Sequence, residues 1–212
     1  MIDSGSEDDT FMEHERVHDD RFCTLKADSS YIALDDIDGS LETFMKSQYV
    51  ALHLNIHSLA SKYTELRNML SKFKENGITI HFVLLCETFL NSANADMYNI
   101  PGYNFVYLNR TTMSRRGVSI DIISSLTYIE RPDISVNVEG EFESITIEVK
   151  TRTRQRNVIV AEIYRVPNTN ELSSIERYND MLTTMSNTSC DVIIGTDQNF
   201  DYKKVDQQKK NS

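Results

Sequence analysis

Five polar residues stand where apolar runs of strand length stop. Asn55 follows Tyr49-Val50-Ala51-Leu52-His53-Leu54, and Glu87 follows the run Ile78 to Cys86. Tyr164 follows Asn157 to Ile163, and Asp197 and Asn199 follow Asp191-Val192-Ile193-Ile194-Gly195. The ends of buried strands in an α/β layer are where a rigid scaffold meets solvent, so polar groups there can converge on one site. Glu87 carries the most weight. The residues before it are among the most apolar in the chain, and a partly buried carboxylate requires a partner or a metal. A hard cation held by a carboxylate and an amide stabilises charge on a phosphate ester. A second carboxylate beside the phosphate can position a water for in-line attack, while neutral donors such as Tyr and Asn hold phosphate oxygens. Each residue alone also has a plain structural explanation. Glu87 fits a helix cap or an ion pair, Asn55 a strand-ending turn, Asp197-Gln198-Asn199 an ordinary turn, and Tyr164 a core position. Arg110, Arg115 and Arg116 form a basic loop that either holds a nucleic-acid backbone or is a solvated turn.

The elements that must position these groups follow from the hydrophobic pattern. Tyr49 to Asn55 predicts a strand. Ser58 has the character of an N-cap, and Leu59, Tyr63, Leu66, Leu70 and Phe73 form one face of an amphipathic helix. Gly77 suits a left-handed C-terminal cap. Ile78 to Cys86 is a nearly unbroken apolar run, as expected of a strand covered on both faces. Further strands are predicted over Tyr103–Leu108, Val118–Ile123, Leu126–Ile129, Phe142–Val149, Asn157–Tyr164 and Asp191–Gly195. A helix is predicted over Glu171–Met185. This order fits an α/β sandwich, with two mixed sheets stacked and helices outside, better than a doubly wound sheet.

At 212 residues, the chain has room for one domain and a tail, or for two small domains. Its net charge of −10 is unevenly placed: residues 1–48 hold 13 acidic and 4 basic side chains, leaving 19 and 18 for the rest. The acidity therefore belongs to an arm, residues 1–48, which lacks hydrophobic periodicity and reads as mostly disordered, apart from a short helix near Ser40 to Lys46. Global acidity argues against simple coating of nucleic acid, but not against local gripping of it. Cys23, Cys86 and Cys190 are odd in number, far apart and without a C-x-x-C pair, which argues against a disulfide framework and a cysteine zinc site. Met1 is followed by Asp3, Glu7, Asp8 and Asp9, the wrong start for a signal peptide. The most apolar run, Ile78 to Cys86, is too short to span a membrane. A soluble, intracellular protein is expected, and nuclear and cytoplasmic locations fit equally.

Taken in order, six segments resemble the endonuclease/exonuclease/phosphatase superfamily, whose fold is like deoxyribonuclease I. The likeness is strongest to the endonuclease domain of LINE-type (non-LTR) retrotransposons. The segments are LHLNIHSLASKYTEL (52–66), HFVLLCETFL (81–90), NIPGYNFVYLNR (99–110), RRGVSID (115–121), EIYRVPN (162–168) and DVIIGTDQNFDY (191–202). The resemblance covers about residues 49–205, leaving 206–212 as a polar tail. It implies a two-sheet α/β sandwich and metal-dependent nicking of DNA phosphodiesters. By the same resemblance Asn55 and Glu87 form the metal pair, with Glu87 the direct ligand of Mg²⁺ or Mn²⁺. Tyr164 contacts the scissile phosphate, Asp197 orients or activates the attacking water, and Asn199 hydrogen-bonds the phosphate. DNA is the implied partner, and a reverse-transcriptase domain is the companion in the family polyprotein.

The chain also departs from the family pattern. The family continues past its D-x-N motif to an Asp-His pair whose histidine is central to the reaction; here no histidine follows His81. The usual glycine run after the basic loop is reduced to Gly117. Gly-Asp-x-Asn becomes Gly195-Thr196-Asp197-Gln198-Asn199, one residue longer. These departures predict a sandwich incomplete at its C-terminal end, from a truncated or decayed copy or a shortened gene model, which nicks DNA slowly or not at all. The other readings are an inactive remnant that only binds, and a phosphatase of the same fold acting on inositol lipids or another small phosphate ester.

Overall fold

A computed structural model describes residues 48–108, 116–151 and 156–199. The arm up to residue 47 with its expected short helix, the tail from residue 200, Arg110 and Arg115 lie outside the described residues. In chain order the elements are β1 (Ala51–Asn55), α1 (Leu59–Glu75), β2 (Phe82–Cys86), β3 (Tyr103–Tyr107), β4 (Val118–Ile123), β5 (Thr127–Glu130), β6 (Asn137–Val138), β7 (Phe142–Lys150), β8 (Val158–Arg165), α2 (Glu171–Ser186) and β9 (Asp191–Asp197). They build two mixed sheets. The first has the order β1-β2-β4-β3; the second has the order β5-β7-β8-β9, with β6 beside β7.

Each sheet contains one βαβ unit. In the first, α1 joins the parallel pair β1 and β2, which ends on Asn55 beside Cys86. In the second, α2 joins the parallel pair β8 and β9, which ends on Tyr164 beside Asp197. The sheets stack through Phe82, Leu84, Val118, Ile120 and Ile122 on one side and Ile145, Ile147, Val149, Val158 and Val160 on the other. Leu59, Leu66, Leu70 and Phe73 of α1 close the outer face of the first sheet over Val83 and Leu85. Met181 and Met185 of α2 cover Ile159, Ala161 and Ile163 of the second. β2 and β8 are thus buried on both faces, which is why their sequences are apolar without alternation.

Three local expectations are revised. The strand expected from Ile78 begins only at Phe82. Gly77 turns the chain at φ +76, and Ile78 N–H donates back to the Phe73 carbonyl at 2.9 Å, so Ile78 and Ile80 are buried in a lead-in rather than a ladder. The alternation in β7 suggests one wet face, yet eight of its nine residues are buried. The segment before it covers the polar face: Val136 N–H donates to Ser144 Oγ at 2.6 Å, and Arg131 Nη1 donates to Glu148 at 2.6 Å. The third revision lengthens a strand. β9 continues through Asp197, so that carboxylate sits on a ladder rather than in a turn.

Ser58 occupies the cap position of α1 but makes no side-chain cap bond, and its φ is 88°. The first helical amides are instead held by the segment after β2, Ser58 N–H by the Glu87 carbonyl at 2.8 Å and Leu59 N–H by that of Thr88 at 3.0 Å. Ser58→Ala should therefore cost less than the ~0.5–2 kcal/mol of a lost cap. Ser58→Gly, which accepts positive φ freely, should stabilise the fold by up to about 1 kcal/mol. Urea unfolding of both variants checks this, and a destabilised Ser58→Gly variant would contradict it.

Candidate functional site

The C-terminal ends of the two parallel pairs meet, and the predicted residues meet with them. The Asn55 side chain, at the end of β1, donates through Nδ2 to Glu87 Oε1 at 3.0 Å and to Asp197 Oδ2 at 2.9 Å. Tyr164 Oη, on β8, donates to the same Glu87 Oε1 at 3.0 Å. His57 Nδ1 lies 2.8 Å from Glu87 Oε2, and its ring packs edge-on against Phe89. Asn55, Glu87, Tyr164 and Asp197 therefore form one hydrogen-bonded group spanning both sheets. Asn199 stands just outside it, because its Nδ2 donates to the Arg165 carbonyl at 2.9 Å.

The backbone beneath this group is strained. His57, Ser58, Glu87, Phe89, Arg116 and Asn199 all have positive φ without being glycine. Such conformations cost of order 1–3 kcal/mol each and persist only where surrounding bonds over-determine them. Here the β1–α1 turn is tied to the segment after β2, which is tied in turn to residues 116–117 through Thr88 N–H to the Gly117 carbonyl and Phe89 N–H to the Arg116 carbonyl. That lacing turns the Glu87 side chain out of the strand direction and towards Asn55 and Tyr164.

Electrostatics follow from the packing. Burial works to raise the Glu87 carboxyl, but hydrogen bonds from His57, Asn55 and Tyr164 outweigh it and hold the group below the usual glutamate range. The Tyr164 hydroxyl is pushed well above its ordinary value by burial and by the nearby Glu87 and Asp197 charges, partly offset by Arg116. It is thus a protonated donor throughout the physiological range. Arg116, the one described member of the basic loop, donates through Nη1 to the Gly140 carbonyl at 3.1 Å and lies close enough to act on Tyr164.

Two further residues belong to the site's support. Arg165, 1% exposed, donates to the Asn199 carbonyl at 2.7 Å, to the Gln198 carbonyl at 3.3 Å and to the Thr169 carbonyl at 2.8 Å, clamping the turn that follows Asp197. Its signal was present in the sequence, as a charge ending an apolar strand. The other is His57, for which the sequence offers no role because it lies on a different segment from Glu87. The extra residue expected between Gly195 and Asp197 forms no bulge: Glu162↔Gly195, Ile163↔Thr196 and Tyr164↔Asp197 pair in unbroken register.

The donor set suits a hard divalent cation. Two carboxylates face one amide group, whose Nδ2 bridges them, and rotation of that amide presents Oδ1 to the same place.

No protein-family model matches this sequence, and no curated protein matches it. Solved structures do match. The endonuclease domain of TRAS1, a telomere-specific non-LTR retrotransposon, superposes with a TM-score of 0.54 at 17% identity, covering 73% of this chain and 61% of that one. The shared fold is the two-sheet α/β sandwich with flanking helices, like that of deoxyribonuclease I. D. rerio TDP2 complexed with a single-strand DNA product gives a TM-score of 0.54 at 12% identity, over 75% of this chain and 64% of that one. The Bacteroides thetaiotaomicron mannosyl-6-phosphatase Bt3783 gives 0.53 at 11%, over 74% and 67%. This chain thus spans about three-fifths of the retrotransposon domain it matches. Among the described residues, no helix is long and apolar enough to cross a membrane.

Proposed function

We propose that this chain is a divalent-cation-dependent phosphodiesterase of the retrotransposon endonuclease type, nicking DNA. The observation that carries the reading is the convergence of Asn55, Glu87, Tyr164 and Asp197, from the ends of four segments in two sheets, into one hydrogen-bonded group. Glu87, kept ionised by its neighbours, and Asn55 hold Mg²⁺ or Mn²⁺. That cation, when bound, offsets the phosphate charge and the charge developing on the leaving oxygen. Asp197 holds the attacking water in line. Tyr164 donates to a phosphate oxygen without adding charge, Asn199 lies at the far side of the phosphate, and Arg116 favours an anion beside Tyr164. The likeness to TRAS1, and the DNA product bound by TDP2, support DNA as the substrate; a reverse-transcriptase domain is the companion implied by the former.

Relaxation of supercoiled plasmid in Mg²⁺ tests the reading. Slow nicking is expected, lost with a chelator and in Asp197→Ala. An inert plasmid alongside Asp197-dependent release of phosphate from a sugar phosphate would assign a phosphatase instead. A folded chain inert to both would leave a binding module.

A further inference from the structure

Below the Asn55–Glu87–Asp197 group, the two sheets trap a second set of polar side chains that the proposed chemistry does not use. His53 on β1, Cys86 on β2 and Glu162 on β8 all point into the space between the sheets. Their ligand atoms lie within 4.8 Å of one another, the only such trio of His, Cys, Asp or Glu among the described residues. His53 Nε2 lies 3.2 Å from Glu162 Oε1. The Cys86 Sγ lies 3.9 Å from Asp197 Oδ2 and 3.8 Å from the Leu54 carbonyl.

Glu162 makes this set more than a satisfied core pair. Its side chain is 0% exposed, yet Oε2 has no hydrogen-bond partner among the described residues. A buried carboxylate oxygen left without a donor forfeits the hydration it had in the unfolded chain. The backbone beside it is a glycine with no positive φ to justify it. A Cβ on Gly195 would collide with Glu162 Oε2 and would come within 2.7 Å of His53 Cδ2. The absence of a side chain at Gly195 makes room for Glu162 and His53 to pack against the strand.

We propose that His53, Cys86 and Glu162 form a binding site for a borderline transition-metal ion, with Zn²⁺ the fitting one, distinct from the hard-cation site at Glu87. Thiolate and imidazole donors select zinc or cobalt over magnesium. Bonds of about 2.0–2.3 Å let one ion reach all three donors after side-chain shifts of an ångström or less. Binding releases the thiol proton and the proton held between His53 and Glu162, and leaves a fourth position open on the Asp197 side. The ion ties β1 and β2 of one sheet to β8 of the other, directly beneath Asn55 and Asp197.

Titration of the purified chain with Co²⁺ tests the site, because a cysteine thiolate bound to cobalt gives a charge-transfer band in the near ultraviolet that a site of oxygen donors cannot give. One equivalent of band is expected, bleached by Zn²⁺, absent in Cys86→Ser and retained in Cys190→Ser. It is also retained in Glu87→Ala, so this test stands or falls separately from the proposed nuclease site. His53→Ala, on an edge strand with its side chain a third exposed, should bind Co²⁺ at least tenfold more weakly, and it decides the matter if Cys86→Ser fails to fold. Absence of the band in the wild-type chain, or an unchanged band and affinity in His53→Ala, overturns the site.

Discussion

Glu87→Gln should fold like the parent and lose metal-dependent cleavage by about 10²- to 10⁴-fold, the range for removal of one positioned electrostatic or acid–base group. Calorimetry should show weaker Mg²⁺ or Mn²⁺ binding in the same variant. The substitution keeps the shape and an acceptor for Asn55 and Tyr164, but removes the charge that a hard cation requires. The pH dependence has a defined sign. Hydrogen bonds from His57, Asn55 and Tyr164 hold the carboxyl below the usual glutamate range, so it stays ionised as the pH falls through that range. Cation binding by the parent should persist there. His57→Ala removes the shortest of these bonds, 2.8 Å, and should move the loss of binding to higher pH. Equal Mg²⁺ binding by Glu87→Gln and the parent would remove Glu87 from the metal site.

Asp121→Asn should be more stable than the parent at pH 8, by about 1.4 kcal/mol for each tenfold by which burial tightens the carboxyl's hold on its proton, and nearly equal to it at about pH 4. Asp121 lies on β4 opposite Val83 and Phe105, is 0% exposed, and has no hydrogen-bond partner on either oxygen among the described residues. Burial pushes its carboxyl well above the ordinary aspartate value. Below that ordinary value, folded and unfolded chains both carry the proton and the residue does not discriminate between them. Above it, the unfolded chain releases the proton while the folded chain retains it, so stability falls as the pH rises. Asparagine does not titrate, and the difference between the two urea-unfolding series isolates this one group from His53, Glu162 and Glu87. Series that run parallel from pH 4 to pH 8 would show that Asp121 is ionised or paired in the fold.

Much of the architecture was legible in the chain because burial leaves a local trace. Val118–Ile123 matches to the residue, and the face expected of α1 is the one it buries, because period 3.6 and unbroken apolar runs report which sides are covered. On α2 the apolar pattern points to Leu172, Ile175, Leu182 and Met185, whereas the helix buries Met181 and Met185 and leaves Leu172 exposed. The candidate site was legible for a related reason. Asn55, Glu87, Tyr164 and Asp197 each stand at or beside the end of a strand-length apolar run, and parallel βαβ pairs bring such ends to one rim.

Where the pattern was ambiguous, tertiary contacts decided. Ser58 has the composition of a cap, yet its side chain makes no cap bond, and the turn is fixed instead by the Glu87 and Thr88 carbonyls, which accept from the Ser58 and Leu59 amides. β7 alternates like a half-wet strand, yet the segment from Arg131 to Val138 folds over its polar face. Neither His57 on Glu87, nor Arg165 behind Asn199, nor the His53–Cys86–Glu162 trio has any spacing that marks it. These contacts join residues from 30 to 109 positions apart. Amino-acid sequence by itself determines where most elements lie and which side α1 buries, since apolar runs and their period depend only on neighbours a few residues away. Which polar groups then face one another depends on strand order, register and the stacking of one sheet on the other, and only the assembled sandwich specifies those.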